Sequence, residues 1–131
     1  MMKKFVTDTM ALVLHLEKRK MPEKAKQCFE DTEKKLCEMV VPTMVIVEIG
    51  YLHEKQRITL SVDFLEKYFE QYPSFREQPL TLEVVKSALE IADIPELHDR
   101  LIAGTAKLLG VELITNDPVI EKSISVKTLW K

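Results

Sequence analysis

The feature that most restricts how this chain can fold is the alternation of short apolar runs with longer segments of helical spacing. Phe5-Val6-Thr7 precedes a helical run from Met10 to Leu16, and Met39-Val40-Val41 precedes a helix that Pro42 opens and that runs to about Lys55. Val111 to Thr115 precedes a short helix starting at Pro118, and Val126 to Trp130 forms a final strand. Parallel strands need crossovers, and strand–helix alternation supplies them as right-handed β-α-β units. The pattern predicts an α/β fold: a three-layer α/β/α sandwich with a mainly parallel central sheet. In such a sheet ligands gather at the carboxyl ends of the strands, where strand order reverses.

The remaining segments fill in the helices. After Pro22, the residues Ala25, Cys28, Phe29, Thr32 and Leu36 recur on one helical face. Ser61 to Tyr72 reads as a helix through Val62, Leu65, Tyr68, Phe69 and Tyr72, and Phe75 to Leu80 as a short strand. Thr81 is placed to cap a helix burying Leu82, Val85, Leu89 and Ala92. Leu97, Leu101, Ile102, Thr105, Leu108 and Leu109 mark an amphipathic helix that Gly110 closes. At 131 residues, without repeat or linker, the expectation is a single domain over 1–131.

Composition narrows the class. An apolar share of 46% suits a chain that buries a core, which excludes disordered and low-complexity architectures. The formal charge of −2 gives no overall basic field, so any nucleic-acid contact must be local. The Glu17-Lys18-Arg19-Lys20 cluster, with Lys24 and Lys26, is a candidate patch, although a solvated helix face accounts for these lysines more readily. Asp8 interrupts the first apolar run, so no secretory signal is expected, and Met39 to Val47 is too short to span a bilayer. Cys28 and Cys37 fit neither a redox pair nor a zinc knuckle, and read as buried thiols. These points together predict a cytoplasmic protein with no membrane partner. His15, His53 and His98 are scattered and read as surface or capping residues.

Four carboxylates stand where their surroundings do not favour them. Asp8 and Asp117 directly follow strands, where each can equally serve as a helix cap or turn residue. Glu48 has Met44, Val45, Tyr51 and Leu52 as same-face neighbours and no helical cation. Asp99 lies in the first turn of its helix, where the helix dipole alone can account for it. As a set they are costly, since like charges 4 Å apart repel by about 4 kcal/mol at an effective dielectric near 20. A divalent cation relieves that repulsion, and all-oxygen ligands suit Mg²⁺ or Mn²⁺. Such an ion activates water toward a phosphodiester, and a second ion can stabilise the leaving oxygen. With glycines only at 50, 104 and 110, no Gly-rich phosphate loop can form.

These residues carry a family resemblance. Val6-Thr7-Asp8-Thr9, Glu48 after Pro42-Thr43, the segment from His98 through Asp99-Arg100 to Ala106, and Leu113-Ile114-Thr115-Asn116-Asp117 resemble the PIN-domain ribonucleases. Within them, the small VapC-like toxins of toxin–antitoxin pairs are most similar. The resemblance implies a PIN-like fold and Mg²⁺- or Mn²⁺-dependent endonuclease activity on RNA. It places Asp8, Glu48, Asp99 and Asp117 in a metal and catalytic site, with Asp8, Asp99 and Glu48 sharing the ion and Asp117 holding a second ion or tuning the first. Thr9 and Thr115 are the supporting residues, Thr115 orienting a carboxylate through its hydroxyl. A homodimer and a cognate antitoxin protein are implied as partners, and Phe64, Tyr68, Phe69 and Tyr72 are candidates for a subunit contact or for core. One departure is Met10, where the family often has Ser or Asn.

Two other classes compete. A non-catalytic module that kept the fold as a binding scaffold has no use for four clustered acids. A phosphatase or phospho-receiver needs a second acid close in sequence to the first aspartate, where this chain has Met10.

Overall fold

The structure is a computed structural model that describes residues 2–131. Strand β1 (Lys4–Thr7) leads into α1 (Thr9–Leu16) and α2 (Glu23–Glu33); β2 (Glu38–Pro42) leads into α3 (Thr43–Glu54) and α4 (Val62–Gln71). Then come β3 (Phe75–Gln78), α5 (Leu82–Leu89), α6 (Leu97–Leu109), β4 (Glu112–Ile114), α7 (Pro118–Glu121) and β5 (Thr128–Leu129). The strands form one five-stranded sheet in the order β3-β2-β1-β4-β5, and every pair is parallel. Val40, Val41, Phe5, Val6 and Leu113 are all buried regardless of the side of the pleat they take. A strand buried on both faces needs helices on both, which gives the three layers.

Strand order reverses between β1 and β4. The chain steps outward from β1 to β2 and β3, then returns to the other side of β1 for β4 and β5. Asp8 N–H still donates to the Ile114 carbonyl at 3.1 Å, so the crevice at the reversal opens just beyond this bond.

Local signals set most helix ends. Ser61 and Thr81 cap α4 and α5 by accepting from Phe64 N and Val84 N at 3.1 and 3.3 Å. Gly110 ends α6 in the left-handed region at φ 67°, where a side chain is disfavoured. Two expectations fail. Helix α2 stops at Glu33, Lys35 turns into positive φ, and Leu36 is 65% exposed rather than on the buried face. In α5 the buried residues are Val84, Ser87 and Ala88, while Leu82 and Leu89 point outward and Ala92 lies past the helix end.

The reason for the turned face of α5 is close helix approach. A Cβ on Gly104 of α6 would sit 2.8 Å from the Ala88 backbone, and Ser87 Oγ donates to the Gly104 carbonyl at 2.8 Å. Small residues permit that contact, and the larger leucines are left on the outside. The core itself joins all five strands to α1, α2, α3, α4 and α6, with Phe29, Leu12, Met39, Leu65 and Ile102 among its fully buried members. Cys28 and Cys37 are both buried and free, and burial pushes the Cys28 thiol up to about 11. Among the described residues no helix is long and apolar enough to cross a membrane.

Candidate active site

The four misfit acids arrive from four different elements. Asp8 follows β1, Asp117 follows β4, Glu48 rides on α3 and Asp99 sits in the first turn of α6. All four line one cleft of about 950 Å³ at the strand-order reversal, together with Thr9. Capping explains part of the arrangement. Asp8 Oδ1 accepts from Ala11 N at 2.8 Å and caps α1. Asp117 Oδ1 accepts from Val119 N at 2.8 Å and caps α7. Cap and site are therefore not alternatives, because each cap occupies one carboxylate oxygen and every carboxylate oxygen carries a second lone pair.

Hydroxyls hold two of the acids. Thr115 Oγ1 donates to Asp8 Oδ2 at 2.5 Å and accepts from Asp117 N at 3.1 Å, tying the ends of β1 and β4 together. The Thr9 hydroxyl donates to Glu48 Oε1, joining α1 to α3. Both threonines are buried, so their hydroxyls have no water to turn to.

The electrostatics are unbalanced. Burial raises Asp8 to about 6, with Asp117 and Glu48 adding repulsion and the Thr115 and Ala11 hydrogen bonds opposing. Asp99 also rises to about 6, first through burial and then through the charges of Asp117, Glu96, Glu48 and Asp8. Among the described residues, no ion pair involves any of the four acids. Nor, among those residues, do three His, Cys, Asp or Glu side chains stand close enough to make a ready-built metal cage. The donor set is nevertheless hard, anionic and open to solvent. It fits Mg²⁺ or Mn²⁺, which keep waters in their shell and need few protein carboxylates. It does not fit Zn²⁺ in a closed structural site.

The cleft wall is what the sequence pattern does not reveal. The neighbours of Glu48 read as core, yet Val47 and Tyr51 are 56% and 57% exposed along the cleft. Met10 is exposed there too, and Trp130 and His98 complete the rim. Spacing alone marks these residues as apolar; only the assembled sheet shows that they flank a cleft.

A second cleft of about 810 Å³ receives the basic patch. Lys18, Lys20 and Lys26 line it, and it shares no residue with the acid cleft. His15, expected at the surface, is instead packed inside, stacked on Phe29 with ring centroids 4.8 Å apart. Its Nε2 lies 3.1 Å from Glu33 Oε2, which also accepts from Tyr68 Oη at 2.6 Å. Burial outweighs the Glu33 charge and lowers the His15 pKa. Tyr68 is buried, and Phe69 and Tyr72 pack against the core, so most of that aromatic group is core; Phe64 is half-exposed.

Comparison with known proteins places the chain. The PIN domain family model matches residues 5–123. A chain of VapBC2 from Rickettsia felis, bound to a promoter DNA fragment, superposes with a TM-score of 0.73 at 16% identity, covering 98% of this chain and 99% of that one. DNA-bound VapBC from Salmonella typhimurium gives 0.68 at 17% identity, with 98% of both chains covered. A toxin–antitoxin complex from Klebsiella pneumoniae gives 0.60 at 17% identity, with 91% of each covered. No curated protein sequence matches the chain.

Proposed function

The chain belongs to the PIN domain family, and from that premise we propose that it is a divalent-metal-dependent endoribonuclease and the toxin of a toxin–antitoxin pair. The observation that carries the reading is the convergence of Asp8, Glu48, Asp99 and Asp117 on one cleft at the sheet's reversal, with no cation to balance them. A structural role does not account for such a set, because uncompensated buried charge costs stability.

Asp8, Asp99 and Glu48 are the residues that would hold Mg²⁺ or Mn²⁺, with Asp117 tuning the site or holding a second ion. When bound, such an ion supplies Lewis acidity and charge neutralisation to a phosphodiester under attack by water. The chain's own work is positioning. The cap to α1 and the Thr115 hydroxyl fix Asp8 in one rotamer, and the Thr9 hydroxyl fixes one oxygen of Glu48. Glu96 accepts from the Asp99 N–H at 2.9 Å, which sets the first turn of α6 and so the direction of Asp99. Groups held this way need no reorganisation when substrate arrives.

The partners follow from the same reading. A cognate antitoxin and a homodimer are expected, and the similarity to chains from VapBC and toxin–antitoxin assemblies supports the antitoxin. One core cluster shared by the described residues supports a single domain over 1–131, and the toxin reading implies action on RNA in the cytoplasm. The test is cleavage of a mixed RNA panel by the wild type and by Asp99→Asn, with Mg²⁺, with Mn²⁺ and with chelator. Cutting that needs metal and disappears in the variant is the expected result. A wild type that neither cuts RNA nor gains thermal stability from Mn²⁺ leaves a non-catalytic scaffold as the better reading.

A further inference from the structure

A phosphodiester and a cation account for the acids of the cleft but not for its walls. Tyr51 lies three residues beyond Glu48 on α3, so both project from one face of that helix. It is 57% exposed and lines the cleft. Trp130 packs partly against the core and lines the same cleft from the other side of the acids in sheet order. It directly follows Leu129 of β5, whose carbonyl accepts from Thr115 N at 3.3 Å. One large aromatic therefore borders the acids on the α3 side and another on the β5 side. Lys55 Nζ sits 5.5 Å from the Tyr51 ring centroid, placing a cation beside that ring.

The Lys55 cation gives the exposed Tyr51 ring only about 0.5–1 kcal/mol of cation–π contact. The ring gains more when something flat and apolar covers it. A nucleic acid strand has flat apolar faces only where its bases are not already stacked and paired, and base–aromatic stacking is worth about 1–3 kcal/mol per base. We propose that Tyr51 and Trp130 form two base-stacking subsites that hold unpaired nucleotides on either side of the phosphate presented to the acids, with Lys55 taking a neighbouring phosphate. The inference rests on the ribonuclease reading and adds to it the side chains that read the substrate's bases. In a duplex the bases are committed to one another, so the walls would stay bare.

Trp130 is the sole tryptophan of the chain, so its fluorescence reports this subsite alone. The experiment titrates the Asp99→Asn protein, in chelator, with a short mixed-sequence RNA, with the same RNA annealed to its complement, and with polyarginine. Fluorescence anisotropy of labelled RNA measures binding in parallel. Single-stranded RNA should quench Trp130, and the duplex should bind more weakly and leave the emission unchanged. Adding Tyr51→Ala should weaken single-strand binding roughly 5- to 150-fold, while Tyr51→Phe, which keeps the ring, should bind nearly as the parent does. RNA that binds without altering Trp130 emission and is indifferent to Tyr51→Ala overturns the subsites while leaving the nuclease reading intact. Quenching by polyarginine but by no RNA assigns the walls to a protein partner and also overturns them. Absence of RNA binding here, together with absence of metal-dependent cleavage by the wild type, removes the nuclease reading and the subsites together.

Discussion

The acid cleft and the basic cleft of this molecule treat their partly buried carboxylates in opposite ways. Glu33 in the second cleft receives the Tyr68 hydroxyl and faces His15 Nε2 on the same oxygen, with Phe29 stacked behind the imidazole. Asp8 and Asp99 in the acid cleft face one another and two further acids, and both are pushed up to about 6. Titratable groups enclosed by their partners stabilise a fold. Groups that repel one another are kept in spite of stability, which is the mark of a site that waits for something.

The largest effect that can break this contrast is on activity. Asp99→Asn should lower RNA cleavage at least ~100-fold, more than the loss seen when a mere supporting contact to a metal ligand is removed. Glu33→Gln should leave the cleavage rate within twofold, about the scatter expected of a residue outside the site. Equal losses in the two variants, measured on the same RNA, erase the distinction. On stability the order inverts. Glu33→Ala strips partners from Tyr68 and His15 and should destabilise by about 2–3 kcal/mol in urea titrations. Gly104→Ala, which forces a Cβ against the Ala88 backbone at 2.8 Å, should cost a similar ~1–3 kcal/mol and leave both clefts intact.

Metal should reverse the sign in the acid cleft. In chelator at pH 7, Asp99→Asn should stabilise by about 1 kcal/mol once solvent screening of this half-exposed group is allowed for. Mn²⁺ at a hundred times its dissociation constant should raise wild-type stability by about 2.7 kcal/mol and the variant's by less. The smallest effect is the pH dependence. A carboxyl whose folded pKa is raised from 3.8 to about 6 costs stability above pH 6, and the cost vanishes as both states become protonated below 3.8. The advantage of Asp99→Asn in chelator should therefore shrink steadily between pH 7 and pH 4. His15 runs the other way. Its folded pKa is lowered from 6.5, so its neutral form favours folding, and that contribution is lost as the pH falls below 6.5. Comparing variant with wild type at each pH cancels the histidine and isolates the acid.

What the sequence makes legible here is what depends on near neighbours. Gly110 as a left-handed cap, Ser61 and Thr81 as side-chain caps, and the apolar runs at Phe5, Met39 and Leu113 are local decisions. The four acids are legible for separate reasons, Asp8 and Asp117 because they follow strands, Glu48 and Asp99 because their same-face helical neighbours are apolar, and the structure brings them to one cleft. The buried face of α5 is not legible, because it is decided by Gly104, a residue on another helix whose missing side chain lets Ser87 and Ala88 approach. His15 is not legible either, since its partners Glu33 and Tyr68 are 18 and 53 residues away. Tyr51 and Trp130 look like core to any periodicity, and only tertiary structure turns them into walls.

The capping aspartates have a consequence for how this protein can change over generations. Asparagine caps a helix about as well as aspartate does. Asp8→Asn and Asp117→Asn would therefore keep α1 and α7 anchored while deleting the charge on the cleft. Aspartate and asparagine codons differ by a single base. On the proposed ribonuclease reading, a folded form with its cleft chemistry weakened thus lies one nucleotide away at either position. Disarmed alleles should accumulate readily wherever the activity harms its host and the rest of the protein is still of use.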